Sequence, residues 1–385
     1  MARLRIAYLC DMSPLDRNLY SGGNARLFDA LSDHADLTIL PRDWGTVDVA
    51  RKAILAMPEH LNLRLRWRAH YALRRVIARR IEAALPGHDV LFGAYALWSL
   101  AGVRVPDGMV TAFTSDAVQT VYRESEIGAA HADSRLGRIL DGWTERCERR
   151  VLQRLDLALW PSDWLKQEAE VRYGLRAAVG HVVEWGANIP PPPVPAPRAL
   201  GTGPVRLLVI GRDWFAKGGP VAFETMTLLR ATGVDARLTV IGCTPPEFHR
   251  NDWVTVHNQL DKAVPEELAV FEAALAEAHF LVQPSFESYG FAFCEASAYG
   301  LPSLCLRVGG VPIVEGENGH ALPPGSGAED FARIIRGYIA APQDYARLSQ
   351  SARHLYEERL NWSAWGRRTI ALLEDAVARK SGALP

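Results

Sequence analysis

The chain has 385 residues, too many for one ordinary core and enough for two domains of roughly 180. Apolar residues make up 48%, and 43 Lys/Arg against 44 Asp/Glu leave a net charge of −1, so the composition argues against disorder and against a general attraction for nucleic acid. Five scattered cysteines without a C-x-x-C pair support neither a zinc knuckle nor a disulfide frame, and fit reduced thiols.

The first strand-type run is "RIAYL" (5–9). It is too short for the apolar core of a signal peptide, and no run in the chain approaches the length of a spanning helix. The expectation is a cytoplasmic protein. Next, Ser21-Gly22-Gly23 opens an amphipathic helix. Gly22 and Gly23 would let backbone N–H groups approach an anion at the positive end of the helix; a plain turn capped by Ser21 is the alternative. The pattern is not G-x-G-x-x-G, which disfavours a dehydrogenase.

After "DLTIL" (36–40) comes a basic stretch, 51–80, with nine Lys/Arg and one acid, Glu59. Trp67, Tyr71, Leu73, Val76, Ile77 and Ile81 form an irregular apolar stripe among arginines. It reads either as a surface for anionic lipid at the inner face of a membrane or for an anionic acceptor, or as an ordinary helix packed on a sheet with Arg outward. Nucleic acid is not expected as a partner. The runs "DVLFGA" (89–94), "MVTAF" (109–113), "DLALW" (156–160) and "HVVEW" (181–185) complete a first domain, 1–187. Ser115-Asp116 follows the fourth of the strand-type runs.

The clustered prolines of 188–204 read as an extended linker. A second domain, 205–362, begins with "VRLLVIG" (205–211) and continues with "ARLTVIG" (236–242), "WVTVH" (253–257), "HFLVQPS" (279–285) and "PSLCLRV" (302–308). Short continuous apolar runs alternating with helices point to parallel sheets covered on both faces. The fold class is therefore α/β, two Rossmann-like domains whose ligands would lie at the carboxyl ends of the strands. A final segment, 363–385, follows the second domain.

Chemistry-bearing residues gather at those carboxyl ends. Arg212 and Lys217 follow strand 205–211 and would neutralise a diphosphate without a metal; a solvated charged loop is the alternative. No G-x-x-x-x-G-K-[ST] pattern is present, which disfavours a P-loop ATPase. Glu287 stands just past strand 279–285. Gly290 permits a tight turn into a helix over about 291–299, which begins at Phe291 and is apolar nearly all round. Glu295 lies in it, and a buried carboxylate needs a partner: a protein cation, or the diol of a ligand ribose. Gly309-Gly310 ends another strand and offers bare backbone N–H groups.

Together these residues resemble the retaining glycosyltransferases of the GT-B fold, specifically family 4. The resemblance is carried by "SGG", "GRDWFAKGG", the E-x7-E pair Glu287 and Glu295, "EASAYGLP", "GGVP…ENGHALPPG" and "LNWSAW", in order along nearly the whole chain, with minor matches at "SDW" (162–164) and "EWGANIP" (184–190). It implies a donor site for a nucleoside-diphosphate sugar, such as a UDP- or GDP-sugar, with no cofactor and no metal. Arg212 and Lys217 would hold the diphosphate and Glu295 the ribose. Glu287, with Gly290 and Phe291 nearby, would meet the donor sugar. Gly309 and Gly310 would border sugar and phosphate, and Gly22 and Gly23 would complete the phosphate cradle. It also implies transfer to an acceptor hydroxyl with retention, by same-face attack. The last helix, within 363–385, would cross back to the first domain. Many relatives carry a histidine where this chain has Ser115-Asp116; there Asp116 would orient the acceptor or act as a base, or else cap a helix. A sugar-nucleotide epimerase of the same fold and a catalytically silent nucleotide-binding scaffold are the alternatives; a silent site has no need of all four of Arg212, Lys217, Glu287 and Glu295.

Overall fold

The computed structural model describes the chain apart from residues 1–2, 18, 42–43, 46, 57–70, 129–134, 197, 202 and 383–385, and apart from the side chains of 51, 54–55 and 135–140. It contains two compact units. One is Met1–Glu184 with Trp365–Pro385, the other Trp185–Ala364.

The first unit contains β1 (Arg5–Cys10), α1 (Gly23–Ser32), β2 (Asp36–Leu40), α2 (Val47–Leu55), α3 (Arg74–Glu82), β3 (Val90–Ala94), α4 (Leu97–Leu100), β4 (Val110–Thr114), α5 (Gln119–Glu124), α6 (Arg135–Leu152), β5 (Leu157–Trp160), α7 (Asp163–Tyr173) and β6 (Gly180–Val182). Its sheet order is β2-β1-β3-β4-β5-β6, parallel throughout. Strands β3, β4 and β5 are buried at every position, as continuous apolar runs demand when helices cover both faces. The chain leaves β1 outward to β2 and then crosses back to β3, so the strand order reverses between β1 and β3. Such a switch point opens a crevice at the carboxyl ends of the strands.

The second unit contains β7 (Val205–Ile210), α8 (Gly219–Ala231), β8 (Ala236–Ile241), β9 (Val254–His257), α9 (Pro265–Glu277), β10 (Phe280–Gln283), α10 (Phe291–Ala298), β11 (Ser303–Leu306), β12 (Gly319–Leu322), α11 (Ala328–Ala340) and α12 (Pro342–Glu358). Its parallel sheet runs β12-β11-β10-β7-β8-β9, with the switch point between β7 and β10. Strand β12 is absent from the sequence reading: "GHAL" carries a glycine and a histidine and makes no apolar run. The last helix, α13 (Trp362–Lys380), contributes its buried Trp365, Thr369 and Leu373 to the first unit. There the Trp365 ring meets Phe92 edge-on, and Arg368 donates to Glu184 Oε2 at 2.6 Å.

The proline-rich segment is tied to the second unit. Arg198 is half-buried and donates to the carbonyls of Leu275, Ala278 and Tyr299, and Arg353 donates to those of Ala298, Pro192 and Pro193. Trp185 also lies in this unit, stacked on Phe291 at 5.8 Å and near Trp362. Strand β6 stops at Val182, short of the run 181–185 read from the sequence.

Of the basic stretch 51–80, residues 57–70 lie outside the described residues, Trp67 among them. In α3, Ile77 and Ile81 are buried and Arg75, Arg79 and Arg80 are exposed, the pattern of a helix packed on a sheet. Val76, assigned to the apolar stripe, is 44% exposed. Among the described residues no helix is long and apolar enough to cross a membrane.

One polar group sits deep in the first unit. Glu148 of α6 is fully buried; its Oε2 accepts from Tyr173 Oη at 2.8 Å and its Oε1 from the Thr120 N–H at 3.2 Å. Burial pushes its carboxyl up to about 7, against the opposing pull of these hydrogen bonds and of the Arg123 charge.

Candidate active site

The second unit brings Lys217 and Glu287 together at the β7/β10 switch point. Lys217 closes the loop between β7 and α8, and Glu287 follows β10. Two glycines make the loop possible. A Cβ on Gly211 would lie 2.3 Å from Lys217 Cγ, so only a bare backbone lets the lysine stem pass. Gly218 has φ 71° and a Cβ there would meet the Pro284 carbonyl at 2.5 Å. The loop is thereby seated against the end of β10.

Glu287 is only 14% exposed at its side chain, and one oxygen carries its recorded contacts. Oε1 accepts from the Lys217 ammonium, from Ser285 Oγ at 2.8 Å and from Gln283 Nε2 at 3.3 Å. Gln283 in turn accepts from the Ile210 N–H at 3.2 Å, which links the ends of β7 and β10. Sequence reasoning missed Gln283 and Ser285 as functional groups. Their signal was their place: the last residue of a strand and the second beyond it, at a carboxyl end. Arg212 is exposed at the mouth of the same sheet.

Glu295 is the buried carboxylate of α10, 2% exposed. Its partner is a protein cation: Lys262 Nζ lies 2.5 Å from Oε1. Lys262 belongs to the loop between β9 and α9, and nothing in "NQLDKAVPEEL" marks it out. The ammonium also sits 4.2 Å from the centre of the Phe271 ring. The ion-pair alternative for Glu295 is thus the one realised in this structure, and a ribose would bind to a carboxylate already paired.

The remaining sequence candidates of this unit are placed as follows. Gly290, at φ 93°, is the residue before α10, and a Cβ on it would crowd Phe293 at 2.7 Å. Phe291 starts the helix and packs in the aromatic group of Trp185, Tyr289 and Trp362. The Gly310 N–H donates to the Ser288 carbonyl at 3.0 Å, so it ties two loops together, while Gly309 adopts φ 57° beside it. In the neighbouring strand, burial pushes the Cys305 thiol up, and the Glu287 charge adds to it.

The first unit holds Gly22, Gly23 and Asp116. Ser21 is not the cap of α1: Gly22, at φ 86°, precedes the helix, Gly23 begins it, and no side chain caps it. Tyr20 and Ser21 are themselves left-handed, at φ 51° and 54°. Tyr95, directly after β3, has φ 57°, and its ring stacks on Tyr20 at 4.3 Å and 3°. Non-glycine residues in this region are strained, and such strain gathers at functional sites. Asp116 follows β4 and is half-buried. It is not a helix cap, since α5 begins after Val118. Burial, then the Asp116 charge, raise the Tyr95 hydroxyl well above its ordinary value.

With this geometry in hand, comparison with known proteins is decisive for part of the chain. Residues 204–341 match the family described as Glycosyl transferases group 1. They belong to the group 1 glycosyltransferases. The group 1 segment contains Arg212, Lys217, Lys262, Glu287 and Glu295. Among curated relatives, D-inositol 3-phosphate glycosyltransferase of Corynebacterium glutamicum (strain R) is 30% identical over 188 residues, 45% of this chain and 44% of that protein. Glycogen synthase of Mycobacterium tuberculosis is 27% identical over 177 residues, 43% and 42% of the two chains. The chain spans less than half the length of these curated relatives. Among solved structures, sucrose-phosphate synthase of Thermosynechococcus elongatus covers 98% of this chain and 100% of its own, at TM-score 0.62 and 20% identity. Anabaena HepE, solved in complex with UDP, covers 97% and 100% at TM-score 0.62 and 12% identity. The group 1 segment therefore sits in a chain of GT-B architecture, two Rossmann-like units, each with its own switch point.

Proposed function

We propose that the protein is a retaining glycosyltransferase that moves a sugar from a nucleoside-diphosphate sugar to an acceptor hydroxyl without a metal ion. The observation that carries this reading is the meeting of Lys217 and Glu287 at the β7/β10 switch point. A carboxylate and a cation at a strand's carboxyl end suit a donor whose sugar offers hydroxyls and whose diphosphate brings charge.

In the reaction, the bond between the anomeric carbon and the leaving phosphate oxygen breaks. The acceptor oxygen bonds to that carbon on the same face, and its proton passes to the departing phosphate. Negative charge grows on the diphosphate as it leaves. Lys217 and Arg212 would meet it as preorganised cations. Glu287, oriented by Ser285 and Gln283, would accept from the donor sugar's hydroxyls. Glu295 would accept from the ribose. Gly309 and Gly310 would border the phosphate and sugar, Gly290 and Phe291 would shape the helix start, and Gly22 and Gly23 would offer backbone N–H groups to an anion. Asp116 would orient the acceptor or take part in its deprotonation. The cations Arg212 and Lys217, the group 1 match and the UDP carried by a structural relative support a nucleotide-sugar donor, UDP- or GDP-linked. A cytoplasmic site of action, with the basic stretch 51–80 at an anionic membrane surface, completes the proposal.

The test is incubation of the chain with a panel of UDP- and GDP-sugars, with EDTA present, while following release of nucleoside diphosphate. Slow hydrolysis of one donor, accelerated by a hydroxyl acceptor, is expected. Absence of turnover and of thermal stabilisation by every nucleotide sugar would sink the reading.

A further inference from the structure

Glu295, placed above at the donor ribose, is paired with a lysine that the catalytic scheme does not use, Lys262. The carboxylate lies on α10, which follows β10, and is nearly sealed from solvent. The ammonium comes from the loop that leaves the edge of the sheet. Lys262 follows the edge strand β9, and β8 and β7 separate β9 from β10 in the sheet order. Its loop is fixed locally: the Asp261 N–H donates to Glu267 Oε2, and the Ala263 N–H to Asp261 Oδ1 at 2.9 Å. The Phe271 ring, 2% exposed, supports the ammonium from one side.

Such a pair is a weak stabiliser, because desolvation of two charges offsets most of their attraction. Its physical value lies in fixing a geometry. Only Oε1 of Glu295 is recorded with Lys262, and a carboxylate offers about four lone-pair positions on its two oxygens. A carboxylate held by one oxygen presents the other in a set direction.

We propose that Lys262 is a positioning residue for nucleoside recognition. It holds Glu295 so that the carboxylate accepts from ribose hydroxyls, and it thereby sets a preference for ribonucleotides over deoxyribonucleotides. The inference rests on the reading of this unit as the nucleotide-sugar site. In this scheme Arg212 and Lys217 meet the diphosphate and Lys262 meets only Glu295, so its loss should act at the sugar of the nucleoside alone.

Calorimetric titration of the full chain tests this, with UDP, GDP, their 2′-deoxy and 3′-deoxy analogues, and inorganic diphosphate as probes. The wild-type chain should bind one ribonucleotide at least about tenfold more tightly than its deoxy analogues, the difference of one hydrogen bond to a charged group. Lys262→Met should reduce that ratio to within about twofold and leave inorganic diphosphate binding unchanged, whereas Lys262→Arg should keep the ratio. In a Glu295→Gln background, Lys262→Met should change nothing further. If Lys262→Met fails to fold, Lys262→Gln serves in its place. A wild-type ratio in the methionine or glutamine variant, or an equal loss of inorganic diphosphate affinity, overturns the inference while the glycosyltransferase reading stands. A wild-type chain that binds no nucleotide overturns both.

Discussion

Lys217→Met separates catalysis from architecture at this site. The substitution keeps the stem that passes Gly211 and removes only the ammonium. Lys217 is 28% exposed and Glu287 14%, so their pair is partly screened by water. A buried charge-assisted hydrogen bond contributes about 1.5–3 kcal/mol; at this exposure a loss of about 1–2 kcal/mol in unfolding free energy is expected. Glu287 is not left stranded, because Ser285 and Gln283 still donate to Oε1. The catalytic loss should be larger. Removing one donor from a developing oxyanion costs on the order of 10²–10³ in kcat, about 3–4 kcal/mol. Urea unfolding gives the first quantity, and nucleoside diphosphate release at saturating donor gives the second. The reasoning predicts that the barrier rises by more than the fold weakens. Turnover within about twofold of wild type would refute it, and so would a stability loss above about 4 kcal/mol, which would make Lys217 a structural residue.

Two further substitutions probe the scaffold. Gly211→Ala places a Cβ where the Lys217 stem now runs, and should lower kcat at least about tenfold with only a small shift in the melting temperature; an unchanged kcat would show that the stem has another route. Glu148→Gln keeps one acceptor oxygen, for the Thr120 N–H, turns the other position into an N–H donor that the Tyr173 hydroxyl oxygen can accept, and removes a titration. Burial raises the Glu148 carboxyl from 4.5 to about 7, so the stability it contributes is fully present below pH 4.5 and is lost as pH rises through about 7. That gap corresponds to roughly 3 kcal/mol. Urea midpoints measured between pH 5 and 8 should therefore fall for the wild type and stay flatter for the variant, and parallel curves would contradict the assignment.

The strands were legible because a strand covered on both faces needs a continuous apolar run, and "RIAYL", "DVLFGA" and "VRLLVIG" have one. Strand β12 lacked the signal, since "GHAL" is held in place by its pairing with β11 and not by its own apolarity. The Lys217–Glu287 meeting was foreseeable, since both residues follow strands at the carboxyl end. What the sequence cannot display is direction across a sheet. Lys262 lies 33 residues before Glu295 and reaches it only because the strand order carries β9 to the edge and the loop turns back. Local backbone choices were equally hidden. Ser21 has the chemistry of a helix cap, but its left-handed conformation passes that place to Gly22. Gly310 looked like a bare donor for a ligand, yet its N–H serves the carbonyl of Ser288.

The two glutamates of the E-x7-E pair differ in how their charge is balanced, and under the proposed function that difference has a purpose. Glu295 has one recorded donor, a lysine committed to it by a fixed loop and an aromatic ring. Glu287 has a lysine and two neutral donors on the same oxygen. The neutral pair costs little charge balance, but it keeps the carboxylate solvated by protein when the lysine turns elsewhere. A departing diphosphate needs that lysine. Sharing an ammonium between a carboxylate and a leaving phosphate is possible only if the carboxylate can release it without becoming an unpartnered buried anion, a state that costs several kcal/mol. Ser285 and Gln283 remove that penalty. Under the proposed function they would therefore allow Lys217 to follow the charge as it moves from the anomeric carbon–oxygen bond to the phosphate, and replacing either with an apolar residue should slow turnover most where Lys217 is still present.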